Sequence, residues 1–146
     1  MIEFLYRTDF ELTDKTRFVS WIKEIIKSEQ KKCGDITYTF CDDQALDEIN
    51  QKFLNHKDLT DIISFDDSIA DIISGEIFIS IDRIKENANI FGVSFEEELL
   101  RVMSHGILHF CGYTDGDEEE KVIMRRKEDE KIKMFHVEHS FKNKKK

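Results

Sequence analysis

Ile2, Phe4 and Tyr6 recur at every second position, and Ile36, Tyr38 and Phe40 do the same, which is the period of a half-buried strand. Between them Phe18, Trp21, Ile22, Ile25 and Ile26 recur at helical spacing, with Thr13 as the expected N-cap and Gly34 beyond the expected end. The first forty residues therefore predict a βαβ unit. A short helix carrying Leu46, Ile49 and Phe53 follows, then strands near 61–65 and 75–81 and a helix near 82–91. The stretch 95–111 is apolar around most of its circumference, with Leu99, Leu100, Val102, Met103, Ile107, Leu108 and Phe110, so it predicts a central helix. The last helix is expected to begin at Asp117, with Glu120 completing a capping box and the charged face from Glu118 to Lys133 turned to solvent. This order predicts one α+β domain over residues 1–140, a small mixed four-stranded sheet packed with helices, followed by a basic tail at 141–146. No proline, repeat or linker divides it.

The central helix carries the chemistry. His105-Gly106-Ile107-Leu108-His109 places two imidazoles four residues apart, one above the other on a single helical face, where both can reach one metal ion. Gly112 can adopt the left-handed conformation that ends a helix, so the chain can reverse and return Asp115 towards the histidines. Two imidazoles and one carboxylate leave a coordination position open, as in a catalytic zinc site, and give the helix a zincin-like character. A carboxylate as third ligand hardens the site enough for manganese, iron or nickel to compete with zinc. Metzincin proteases place a glutamate general base directly after the first histidine, and here that residue is Gly106, which weakens a peptidase reading. Gly106 also permits close approach of a neighbouring backbone or a substrate. Cys111 faces about 200° away from His109 and reads as a small core residue rather than a ligand. His136 and His139 have no third ligand at sensible spacing and read as surface residues.

Composition narrows the remaining classes. A chain of 146 residues with 40% hydrophobic content and 12 Phe suits one domain with one core. Cys33, Cys41 and Cys111 are an odd number without C-x-x-C spacing, which points to a reducing compartment rather than a disulfide framework. Met1-Ile2-Glu3-Phe4 lacks the basic and apolar regions of a signal peptide, and no stretch has the ~20 apolar residues of a membrane span, so a cytoplasmic location is expected. The net charge of −9 is concentrated in Glu96-Glu97-Glu98 and in the run from Asp115 to Glu130, whereas the chain ends Lys142-Asn143-Lys144-Lys145-Lys146. That ending reads either as a solvated terminus or as a basic arm for RNA. Such acidity predicts weak binding to naked RNA and a dependence on a further partner.

Three segments together resemble a known family. The signature H-G-x-L-H-x-x-G-Y stands at His105 to Tyr113; an asparagine and an aromatic followed by T-D-V-L-S-F are matched by Asn50-Gln51-Lys52-Phe53 and Thr60-Asp61-Ile62-Ile63-Ser64-Phe65; and a G-D/E-I strand start is matched by Gly75-Glu76-Ile77. On these residues the chain resembles the YbeY family of bacterial rRNA-maturation endoribonucleases. The resemblance implies a zinc-dependent, single-strand-specific endoribonuclease acting in 16S rRNA 3′-end processing and ribosome maturation. It further implies one Zn²⁺ per chain, single-stranded rRNA as substrate, and the ribosomal subunit or its proteins as partners. Two positions depart from the pattern: Asp115 stands where the family usually has a third histidine, and Leu54 where it has an arginine that the resemblance places on RNA or its phosphate. Lys52, His56 and Lys57 lie close enough in sequence to take over part of that arginine's role.

The general base is left open between Asp61 and Glu118, which also suit a strand-end hydrogen-bonder and a first-turn helix carboxylate respectively. Arg101, one turn before His105, is expected either to meet a phosphate or to pair with Glu97 at i−4. A ribosome-assembly factor with a mainly structural metal is the alternative function. A two-histidine, one-carboxylate iron oxygenase fits the ligand set alone, although its ligands usually project from strands.

Overall fold

The computed structural model describes residues 1–54 and 60–144, with the side chains of Leu54 and of residues 138–144 excepted. Strand β1 (Ile2–Arg7), helix α1 (Lys15–Ser28) and strand β2 (Lys32–Cys41) form the expected βαβ unit, with β1 and β2 parallel and Tyr6 opposite Phe40. Helix α2 (Asp43–Ile49) runs into a π-helical turn over Asn50–Leu54, and strands β3 (Ile62–Asp66) and β4 (Ile72–Ser80) follow. Helices α3 (Ile81–Phe91), α4 (Phe95–Phe110) and α5 (Glu118–Lys144) complete the chain. The sheet order is β1-β2-β4-β3; β4 runs parallel to β2 and antiparallel to the edge strand β3. The fold is thus a single α+β domain with a mixed four-stranded sheet and five α-helices among the described residues.

Period-two alternation sorts the sheet onto two faces. Ile36, Tyr38, Phe40, Ile73, Ile77 and Ile79 point into the main core, where they meet α1, α4 and the apolar stripe of α5. On the other face Cys41, Ala45, Leu46, Ile49 and Ile63 make a smaller cluster beneath α2. Helix α4 lies at the centre, as its all-round apolarity requires: Leu99, Leu100, Val102, Met103, Ile107, Leu108 and Phe110 are all buried. The hydroxyl of the buried Tyr38 donates to the carbonyl of Met103 at 2.8 Å, which ties α4 to the sheet. The indole of Trp21 donates to the carbonyl of Lys131 at 2.7 Å and ties α1 to α5.

Several local expectations are corrected. The residue before α1 is Asp14, in a left-handed conformation with no side-chain cap, and Thr13 lies outside the helix. Gly34 does not end α1 but lies inside β2, at the register shift between Cys33 and Ile36. Phe53 leaves the apolar stripe of Leu46 and Ile49 and is exposed, because the wider π-helical turn rotates it off that face. The close neighbours of Gly106 are side chains rather than backbone: a Cβ there would meet the Cδ1 atoms of Ile77 and Ile62 at 2.9 and 3.2 Å. The charged face of α5 is not wholly solvated, since Glu128 and Lys131 are both buried. Cys33, Cys41 and Cys111 are free thiols. Among the described residues no helix is long and apolar enough to cross a membrane.

Candidate metal centre

Helix α4 presents His105 and His109 on one face, with their Nε2 atoms 2.9 Å apart and the rings nearly perpendicular at 82°. The helix then closes with a tight turn. Gly112 N–H donates to the carbonyl of His109 and Tyr113 N–H to that of Leu108, and Gly112 takes a φ of 108° that a side chain would strain. This reversal brings Oδ2 of Asp115 to 3.4 Å from His105 Nε2 and 3.7 Å from His109 Nε2. The three donor atoms lie within 4.8 Å of one another, so one ion could be held by all three. Beyond the turn, Asp117 and Glu120 form the expected capping box: each side chain accepts from the other's backbone N–H, at 2.7 and 3.1 Å. The hydroxyl of Thr114 also donates to Glu120, so the Asp115 loop is pinned to the first turn of α5.

What the histidines do with their second nitrogens decides the chemistry of the site. His109 Nδ1 lies 2.9 Å from the carbonyl oxygen of Tyr113, which can only accept, so the proton sits on Nδ1. His105 Nδ1 lies 2.6 Å from Oε2 of Glu128, a carboxylate that likewise accepts. In the neutral rings both Nε2 atoms are then bare lone pairs, facing each other and the Asp115 carboxylate with no donor among them. Three acceptors converging on one point repel unless a cation stands between them, and outer hydrogen bonds of this kind are how proteins hold metal-binding imidazoles. The donor set fits a divalent transition ion. Electrostatics agree. Burial drives His105 towards its neutral form, but the hydrogen bond and charge of Glu128, with the charges of Asp115 and Asp61, outweigh it and leave the imidazole above its ordinary pKa. The site favours positive charge, and it is partly open, with side-chain exposures of 20%, 29% and 45% for His105, His109 and Asp115.

Glu128 was not anticipated. It is read from sequence as part of a solvated face, yet it stands four residues after Met124 and four before Ile132, on the stripe of α5 that is buried. That spacing was the available signal. Arg101 does not pair with Glu97: its guanidinium donates to Glu128 at 3.0 Å and to Asp129 at 2.7 Å, which neutralises the carboxylate behind His105. Cys111 is half-buried, burial pushes its thiol up to about 11, and it is not among the donors that converge with His105 and His109.

The two candidates for general base differ sharply. Burial pushes the carboxyl of Asp61 up, against the opposing influence of His105, while its carbonyl accepts from Ser80 N–H at 3.0 Å at the entrance to β3. Glu118 is exposed and pairs with Lys121 in the first turn of α5. His136 is exposed, and the side chain of His139 lies outside the described residues. So do the side chain of Leu54 and the whole of His56 and Lys57, which leaves the position of the family arginine undescribed. A cavity of about 740 Å³ lies on the opposite face of the sheet, lined by Phe53, Phe65, Phe78, Asp66 and Glu76 among others, and it includes none of the three candidate ligands.

Residues 5–136 match the family model described as Endoribonuclease YbeY. The chain belongs to the YbeY family. An Endoribonuclease YbeY from Flavobacterium psychrophilum is 56% identical over 137 residues, covering 94% of this chain and 98% of that protein. The YbeY endoribonuclease of Flavobacterium johnsoniae is 54% identical over 138 residues, with 94% and 99% covered. Among solved structures, the solution structure of TM1509 from Thermotoga maritima is similar over the full chain and 96% of its own length, with a TM-score of 0.63 and 26% identity. His105 and His109, which carried the YbeY resemblance, converge in space with Asp115, which departs from it.

Proposed function

We propose that this YbeY-family chain is a metal-dependent endoribonuclease that hydrolyses single-stranded RNA, with one zinc ion held by His105, His109 and Asp115. The observation that carries the metal part is the convergence of two imidazole lone pairs and a carboxylate oxygen, with both Nδ1 protons already committed to acceptors. The names of the relatives support RNA as the substrate. The site of action we propose is cytoplasmic rRNA, at the maturing 3′ end of 16S rRNA, with the ribosomal subunit as partner; the net charge of −9 favours such a partner over unaided binding to RNA.

When bound, the ion supplies Lewis acidity, making water a better nucleophile and drawing charge from a phosphoryl oxygen. The protein's own residues do the rest. Glu128 and the carbonyl of Tyr113 fix both imidazoles in the tautomer that presents Nε2. Asp61 is the preferred acceptor for the proton of the attacking water, because it lies within electrostatic reach of His105 and burial raises its carboxyl, whereas Glu118 is exposed and paired with Lys121. Gly106 supplies no such group, which is why RNA and not peptide is the proposed substrate. The partial exposure of all three ligands supports an open, catalytic site over a closed structural one.

The test is cleavage of a single-stranded RNA oligonucleotide by protein of known metal content, with and without chelator, beside a casein control. We expect chelator-sensitive RNA cleavage and intact casein. Chelator-sensitive proteolysis, or a metal-loaded protein that leaves RNA and ribosomal subunits uncut, would overturn the reading, the second outcome in favour of an assembly factor.

A further inference from the structure

We infer that Glu29 is a positioning residue for this metal centre, acting through Tyr113 on His109 and on the turn that delivers Asp115. The inference rests on the metal reading above. Tyr113 is held at both ends: its carbonyl accepts from His109 Nδ1 at 2.9 Å, and its hydroxyl donates to Oε1 of Glu29 at 2.7 Å. Glu29 sits directly after the last turn of α1, 84 residues away in sequence, and its side chain is only 9% exposed. Its other oxygen accepts from Lys131 at 2.7 Å and Lys127 at 3.3 Å. Lys131 is fully buried, and its ammonium group is also committed to Ser28 Oγ and to Glu130, each at 2.9 Å.

A buried ammonium group with all its protons placed cannot move without leaving a charge unpaired in a poorly solvated environment, so Lys131 fixes Glu29. Glu29 in turn fixes the phenol. Only two side-chain torsions separate that hydroxyl from the Tyr113 main chain, so anchoring the ring anchors the carbonyl behind it. This matters because Tyr113 follows Gly112, the one residue of the turn whose backbone is free to take other conformations. If the carbonyl swings away, Nδ1 of His109 loses its acceptor, and the imidazole can move its proton to Nε2 and cease to be a ligand. Asp115, two residues further on, would lose its register with the histidines as well.

The experiment is a titration with Co²⁺ against a chromophoric chelator, with the visible absorption of the bound ion recorded, on the full chain and on Tyr113→Phe, Glu29→Gln and the double variant. Direct partners of ligand histidines typically matter 10- to 100-fold in affinity, and a group one bond further out should matter roughly 3- to 10-fold. Each single variant should therefore bind Co²⁺ that much more weakly with an altered spectrum, and Glu29→Gln should add nothing once the Tyr113 hydroxyl is gone. Ile25→Val, in the buried face of α1, is the control: it should lower the melting temperature and leave Co²⁺ affinity unchanged. Wild-type affinity and spectrum in both single variants would overturn the inference, as would an equal effect of Glu29→Gln in the Tyr113→Phe background or an equal loss in Ile25→Val. Should Glu29→Gln fail to fold, Tyr113→Phe removes only a hydroxyl and decides alone. A wild-type chain that binds no Co²⁺ would overturn the metal reading itself, a result distinct from the loss of the clamp alone.

Discussion

At the scale of single residues, the site separates groups that bind from groups that merely stand close. Asp115 and Asp117 are both acidic and two residues apart, but one faces the histidines and the other caps α5. Asp115→Ala should lose most of the metal, and Asp115→His should keep one ion per chain, because the Gly112 turn is untouched and imidazole is a competent donor. Asp117→Ala should keep the metal and cost about 0.5–2 kcal/mol of stability, the usual worth of an N-cap. Metal content and urea unfolding on the three variants check this, and an exchange of their roles would mean that the third ligand is misassigned. Glu128→Gln retains an acceptor for His105 but removes the charge that Arg101 neutralises, so metal affinity should fall by roughly 10- to 100-fold in a chelator competition. The three candidate ligands, which the structure brings together, were legible in the sequence because helical spacing and a glycine are local signals. Glu128 was not, because a charged residue on an amphipathic helix is read as outward-facing unless its partner is known, and that partner lies 23 to 27 residues away.

At the scale of elements, period two and period 3.6 identified the strands and α-helices of the described residues, with most boundaries within three residues, although β2 starts at Lys32, four before Ile36, α1 ends at Ser28, well short of Gly34, and α2 ends at Ile49, four before Phe53. The errors fall where tertiary contacts override local preference. Asp14 displaces Thr13 as the residue before α1, and the π-helical turn moves Phe53 out of its stripe, and neither is encoded in hydrophobic spacing. Gly75 shows how a short motif acquires a physical cause. It pairs with Asp66 across β3 and β4 at a φ of 156°, and a Cβ there would stand 2.4 Å from the carbonyl oxygen of Phe65 and 2.7 Å from the ring of Phe110. Because one of those neighbours is backbone and the other is the buried last residue of α4, Gly75→Ala should destabilise the fold by about 1–3 kcal/mol or more, measurable by urea unfolding. Unchanged stability would mean that the edge strand is free to move away from α4.

At the scale of the whole molecule, the buried charges make stability a function of pH. Burial alone would push the carboxyl of Glu29 up, but Lys131, Tyr113 and Lys127 more than offset it and hold the group below the ordinary glutamate range. A depressed pKa in the folded state means that the stabilisation is complete above the unfolded value and is lost as pH falls through the folded one. Wild-type protein should therefore lose stability on acidification more steeply than Glu29→Gln, and the gap between their urea midpoints should narrow towards low pH; a gap independent of pH would show that the carboxylate's charge is not what matters. The same arrangement bears on the order in which the enzyme is made. Both candidate ligand histidines and Asp115 precede α5, whereas Glu128 and Lys131, which lock those ligands in place, belong to it. A chain synthesised from its N-terminus therefore has its three candidate ligands in hand while Glu128 and Lys131 are still unmade, and the centre described above is complete only once the last helix has docked.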